Sequence, residues 1–212
     1  MAEEKAGYVG HLQTQLVGGK RVQHMRSTNF RNIEKVIVET IFRNDKLDPN
    51  RSAVVFDIDE TILINDPKID ACYHARPNPG MFRIYKLCLR MQIAVYFVTA
   101  RRLSDDNYEW TTRQLQCIGA GKYAELHMCP ESYRVSPAKI SEFKKKARAR
   151  IARKSGRQIV LNAGDQWTDT LQMKSTKEVN AFIEKDNKSY WLFQPIDQEV
   201  QWQLKLPDRG RD

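Results

Sequence analysis

Short apolar runs alternate along the chain with longer stretches whose hydrophobic residues recur every three or four positions. "AVVFD" (53–57), "IAVYFVTA" (93–100) and "RQIVLNAGD" (157–165) are rich in β-branched and aromatic residues and run into polar ones. Continuous apolarity of that length predicts strands buried on both faces. Between them, "PGMFRIYKLCLRM" reads as a helix entered through Pro79 and Gly80, and "DDNYEWTTRQLQCIG" as one closed by Gly119. "SPAKISEFKKKARARIARKSG" opens on Ser136-Pro137 and stops at Gly156, as a helix should. Ile33, Val36, Ile37, Ile41 and Phe42 form the stripe of a further helix, capped by Thr28 or Asn29. "AELHMCP" predicts a weaker strand stopped by Pro130, and "SYWLFQP" the last strand. Residues 1–27 are polar and Gly-containing with little helical period, which predicts a flexible arm or a partial lid.

Strands alternating with helices predict an α/β, Rossmann-like fold: a mainly parallel sheet flanked by helices on both faces. Residues 1–50 read as an N-terminal arm and helical extension packing on the core, and 51–212 as the main domain. Ligands bind such sheets outside the carboxyl ends of the strands. At 212 residues the chain is long enough for a full core without disulfides. Cys72, Cys88, Cys117 and Cys129 lack Cys-x-x-Cys spacing and are expected as free thiols; the scattered His11, His24, His74 and His127 argue against a zinc site. No apolar stretch approaches the eighteen or so residues of a membrane span, so no membrane contact is expected. "MAEEKAGYVGHLQTQLVGGKR" shows no signal peptide, which predicts a cytoplasmic location, in the host cell if the source is a virus. "LVGGKR" lacks the spacing of a phosphate-binding P-loop.

The chemistry is concentrated where the strands end. Asp57 and Asp59 terminate the first, with Thr61 two positions on; alone they could be a turn-former and a helix cap. Asp165 and Asp169 terminate the "QIVLNAGD" strand in the same way. Two strands delivering acids to one edge repel each other unless a cation lies between, and a hard divalent ion with oxygen ligands, Mg²⁺, fits. Such an ion would also clamp a phosphoryl oxygen.

These residues resemble the haloacid dehalogenase (HAD) superfamily of phosphoaspartyl hydrolases over roughly 50–195. "FDIDET" is similar to the superfamily's Asp-x-Asp-x-Thr motif, "VYFVTAR" to its strand ending in Ser or Thr, the basic helix to its Lys motif and "GDQWTD" to its Gly-Asp-x-x-x-Asp motif. Glu60 and Gln166-Trp167 narrow the resemblance to class B acid phosphatases and plant vegetative storage proteins. The resemblance implies a HAD core that hydrolyses phosphomonoesters, with Asp57 as nucleophile and Asp59 as general acid and base. Thr99 would bond a transferring phosphoryl oxygen and Thr61 would brace Asp59 or the turn. Asp165, Asp57 and the backbone carbonyl of Asp59 would hold Mg²⁺, with Asp169 behind them as a water-mediated ligand or an orienter of the helix start. A catalytic Lys comes from "KISEFKKKARARI": Lys144 with Arg148 matches the subgroup's Lys-x-x-x-Arg, Lys146 with Arg150 matches equally by spacing, and Lys145 adjoins both; Lys144 fits better against Ile151. Asn162 and Trp167 are expected in the turn and in packing.

Charge adds a second question. The chain carries a formal +9, and residues 137–157 alone hold nine Lys or Arg against Glu142. That helix is either a solvated face with one catalytic Lys or a steering surface for a polyanion such as a nucleic-acid end. Tyr73, Phe82, Tyr108, Trp110 and Tyr133 could stack a base, but none is interleaved with the basic run. Residues 64–79 allow only a small helical or loop cap, in which His74 and Arg76 are candidates to touch substrate. The expected substrates are nucleotides or other small phosphate esters; the alternatives are polynucleotide ends, or a non-catalytic storage protein of the same fold.

Overall fold

The computed structural model describes residues 12–17, 20–64, 76–166, 188–195 and 202–207. Its centre is an eight-stranded sheet in the order β1-β2-β9-β10-β8-β3-β6-β7. The parallel part joins β10 (Trp202–Lys205), β8 (Gln158–Gly164), β3 (Ser52–Phe56), β6 (Ala94–Arg102) and β7 (Glu125–Cys129). The remainder, β1 (Gln13–Val17), β2 (Lys20–Ser27) and β9 (Tyr190–Pro195), pairs antiparallel. A separate two-stranded ribbon, β4 (Leu63–Ile64) with β5 (Arg76–Pro77), flanks the residues expected to form a cap. Of that expected cap, residues 65–75, including Cys72, Tyr73 and His74, lie outside the described residues.

Side-chain alternation along β3 and β6 divides the core in two. Val54, Phe56, Val95 and Phe97 pack with Ile33, Ile37, Met81, Ile84, Tyr85 and Leu115, from α1 (Phe30–Ile37), α2 (Pro79–Arg90) and α3 (Asp105–Cys117). Ala53, Val55, Tyr96 and Val98 face the other way, onto Ala147 and Ile151 of α4 (Pro137–Ser155). Helices therefore cover both faces, as continuous apolar strands require.

Local signals bound the helices, those of α1 and α4 as expected. Asn29, Asn78, Ser104 and Ser136 accept the N-cap hydrogen bonds of α1 to α4 respectively. Gly156 closes α4 in the left-handed region at φ 65, which a residue without Cβ adopts at no steric cost. The stripe of α1 continues through a π-helical turn at Val38–Phe42, which keeps Ile41 and Phe42 buried. No helix among the described residues is long and apolar enough to cross a membrane. Cys88, Cys117 and Cys129 are free thiols.

Two expectations need correction. Residues 13–17 and 20–27 are antiparallel strands of the central sheet, not a flexible arm or a lid, with β2 running along β9 from Val22 opposite Pro195 to Ser27 opposite Tyr190. "SYWLFQP" is not the last strand, because β10 follows it and inserts between β9 and β8. In both cases the stabilising partner is remote in sequence, so periodicity in the segment itself carries little of the signal.

Candidate active site

Asp57 and Asp165 leave neighbouring parallel strands at one edge. The Asp57 N–H donates to the Ala163 carbonyl at 2.8 Å, extending the β3–β8 ladder one residue past the strand. Both residues are buried, at 6% and 8% exposure. A buried carboxylate demands a compensating charge, and Asp57 has one: Lys144 Nζ lies 2.9 Å from its Oδ1, with both side chains shielded from solvent. Alternation places Asp57 on the Val55 side of β3, the side that α4 covers, so the helix can reach it. Lys145 and Lys146 point outward, and Lys146 pairs with Glu142 instead. The fold thus brings Lys144, and neither neighbour, to Asp57. Arg148, one turn on, is buried as well.

Two residues later the chain turns sharply. The Ile58 carbonyl accepts from the N–H groups of Thr61, Ile62 and Leu63 at 3.3, 3.1 and 3.0 Å, and Glu60 sits at φ 53, a left-handed conformation uncommon for a non-glycine. The turn leaves Asp59 half-buried and facing Arg101, which clamps it: Nε lies 3.1 and 3.0 Å from the two carboxylate oxygens and Nη2 2.6 Å from Oδ1. Arg101 is itself fixed. Its Nη1 donates to Gln114 at 2.6 Å and Thr111 at 3.2 Å, and its guanidinium lies 4.8 Å from the Trp110 ring centroid.

Sequence reading passed over Arg101. It lies in the quoted "VYFVTAR", yet what aims it is an irregularity between Thr99 and Arg102 in the β6–β7 register. Bulges of this kind redirect a side chain next to a functional site. Thr99 is fully buried at the same edge, and its hydroxyl accepts the Arg101 N–H at 3.1 Å. With that lone pair engaged, its O–H remains as a donor.

Asp165 accepts from Gln166 Nε2 at 3.0 Å. Lys205, also buried and equally passed over, pairs in register with Gly164 beside it. The Thr61 hydroxyl is buried without a hydrogen-bond partner among the described residues, and its backbone N–H supports the turn. Asp169 and Trp167 lie outside the described residues; Asn162 is buried within β8. Arg76 is exposed on β5. A cavity of ≈ 850 Å³ opens at the opposite edge, by Arg51, Ser52, Gln158 and Trp202, and none of the site residues lines it.

Among the described residues no three acidic, His or Cys side chains gather closely enough to cage an ion. With the Asp59 carboxylate held by Arg101, the oxygen donors these residues could offer an ion are the Asp57 and Asp165 carboxylates and the Asp59 backbone carbonyl. That set is oxygen-only and carries two buried charges, which suits a hard divalent cation.

The model of the HAD superfamily, subfamily IIIB (acid phosphatase), matches residues 70–196, more than half of the chain. The match begins after Asp57 and Asp59 and contains Thr99, Arg101, Lys144 and Asp165. No curated protein matches the sequence. Among solved structures, the chain is similar to the class C acid phosphatase from Bacillus anthracis, with a TM-score of 0.53 at 18% identity over 73% of this chain and 68% of that one. At that identity the likeness concerns the fold. A chain of the Pnkp1/Rnl/Hen1 RNA repair complex matches more weakly, with a TM-score of 0.44 at 16% identity over 67% of this chain and 42% of that one. A mainly parallel sheet, a buried Asp–Lys pair at its carboxyl edge and the family match lead to one conclusion: the chain belongs to the HAD superfamily's subfamily IIIB of acid phosphatases, and is a phosphomonoester hydrolase.

Proposed function

We propose that the enzyme hydrolyses small phosphate esters, nucleotides among them, through an aspartyl-phosphate on Asp57 and with Mg²⁺. The observation that carries this reading is the buried Asp57–Lys144 pair, with a second carboxylate two residues on and held apart by its own cation. Asp57 attacks phosphorus, the ester P–O bond breaks and the departing alkoxide takes the proton of Asp59. Asp59 then accepts a proton from water as that water attacks the phosphoenzyme, which releases inorganic phosphate and restores Asp57. Splitting one displacement into two lowers each barrier. Asp59 serves both steps because a single carboxyl alternates as acid and base.

Lys144 offsets charge on Asp57 and on the phosphoryl oxygens, and the Thr99 hydroxyl donates to one of those oxygens. Arg101 holds the Asp59 carboxylate in place on the leaving-group side. Asp57, Asp165 and the Asp59 carbonyl would hold Mg²⁺, whose charge, when bound, neutralises phosphoryl oxygens. The same retained side chains weigh against a storage protein that has lost its activity.

The test is rapid quenching with a ³²P-labelled phosphate ester, followed by peptide mapping. Label on the peptide containing Asp57, lost in Asp57→Asn together with turnover, supports the reading. An Asp57→Asn enzyme that turns over like wild type, or activity untouched by EDTA, overturns it.

A further inference from the structure

The four large hydrophobic side chains most exposed among the described residues, Leu103, Tyr108, Trp110 and Val135, all lie on the segments that follow β6 and β7. Both segments leave the sheet at the carboxyl edge, where Asp57 sits. They form one rim: Arg102 pairs with Glu131 at 2.9 Å, the Leu103 N–H donates to the Cys129 carbonyl at 2.8 Å, and Arg134 donates to the Ala100 carbonyl. Tyr133 continues the rim onto α4, with Lys146 Nζ 3.1 Å from its hydroxyl and 5.4 Å from its ring centroid.

Along α4, one turn per 3.6 residues sets Lys139, Lys146, Arg150, Arg153 and Lys154 on a single exposed face, while Lys144, Ala147, Arg148 and Ile151 point inward. Two acids approach that face. Glu142 bonds Lys139 and Lys146, which hold its carboxyl down at about 2, and Glu125 bonds Lys154. Five cations against two acids leave a surplus; Arg150 acts on Glu125 through space, and both Arg150 and Arg153 are exposed. On the α3 side of the rim the balance differs: Asp105, Asp106 and Glu109 accompany Tyr108 and Trp110. Phosphates are therefore drawn toward α4, while planar groups find their surface at α3.

Resting on the Asp57 phosphomonoesterase reading, we propose that this rim and helix face bind a single-stranded polynucleotide bearing a terminal phosphate. The terminal phosphate meets Asp57, the end nucleotide stacks against the aromatic rim, and the next phosphates follow the outward face of α4. From Lys146 to Lys154 that face is about 12 Å long, enough for a few nucleotides. The cation track starts within a turn of Lys144, so the reacting phosphate and the anions beyond it belong to one continuous molecule. A phosphatidylserine surface would meet the charges but present only phosphodiesters to Asp57.

Steady-state kinetics of wild type and the Arg150→Gln/Arg153→Gln variant on p-nitrophenyl phosphate and on end-phosphorylated DNA and RNA decamers, at rising salt, test this. For the decamers log kcat/KM should fall against log salt with a slope of about −2, as about three single-strand phosphate contacts predict, and stay nearly flat for the aryl phosphate. The double variant should lose about tenfold in kcat/KM on decamers with a shallower slope, and stay within about twofold of wild type on the aryl phosphate. The DNA and RNA arms show whether the sugar matters. Equal salt dependence for both substrate types, or an equal effect of the variant on both, overturns the proposal. So does loss of phosphatidylserine-vesicle binding in the variant with decamer kinetics unchanged, which assigns the face to a membrane. Failure on p-nitrophenyl phosphate itself, or activity of Asp57→Asn on it, sinks the underlying phosphatase reading instead.

Discussion

The sheet has two unlike halves meeting at β10. In the half from β10 to β7 every strand runs the same way, so the carboxyl ends of β3, β6 and β8 bring Asp57, Thr99 and Asp165 to one edge. In the half from β1 to β9 the strands alternate in direction, and their ends cannot converge. That half buries Val22, Met25, Leu192 and Phe193 and places Arg26 5.7 Å from the Trp191 ring centroid, a packing surface without a constellation of acids among the described residues. The contrast shows direction, more than composition, deciding where chemistry collects: both halves hold charged residues, and one gathers them.

If that division is right, substitutions in the two halves should fail differently. Lys144→Met should lower kcat on the order of 10³-fold, as removal of a preorganised charge from a water-poor site does. It should also cost about 3–5 kcal/mol of stability, because the buried Asp57 carboxylate loses the Lys144 charge 2.9 Å away. Adding Asp57→Asn should restore most of the thermal midpoint and none of the activity; a double variant no more stable than Lys144→Met would break the assignment of the pair.

Arg101→Ala should separate substrates by leaving group. An alkyl phosphate, which needs the proton from a well-placed Asp59, should slow by about 10²-fold, and p-nitrophenyl phosphate by only a few fold. Equal loss on both would mean that Arg101 acts on the phosphoryl group, not through Asp59. In the antiparallel half, Met25→Ala should cost about 2–5 kcal/mol in denaturant unfolding, with kcat per folded molecule unchanged.

The smallest effect concerns two histidines, one in each half. Burial lowers the pKa of His24 on β2 and of His127 on β7 from 6.5. The unfolded chain then binds more protons just below pH 6.5, so stability rises with pH through that window and is lost as the solution is acidified. Either His→Gln substitution should flatten this acid limb of the unfolding midpoint; a limb unchanged in both variants would assign it to carboxylates.

Legibility followed the locality of each signal. The caps of α1 and α4, the buried strands β3, β6 and β8, and the placing of Asp57 and Asp165 at strand ends were readable, because period and capping act within a few residues. The lysine run was only half readable: spacing admitted Lys144 and Lys146 equally, and the face of α4 that packs on β3 and β6 separates them. Arg101 stood in plain view without a role, since a register irregularity against β7 and the side chains of Thr111, Gln114 and Trp110 aim it at Asp59.

The sequence by itself determined the α/β alternation, the helix boundaries and the acids that close two strands, since each depends on neighbours in the chain. Tertiary structure alone decided that the N-terminal hairpin joins the sheet beside β9, that β10 slips between β9 and β8, which lysine meets Asp57 and which arginine holds Asp59. Those are choices among remote partners, settled by the free energy of burying and pairing surfaces that no local window contains.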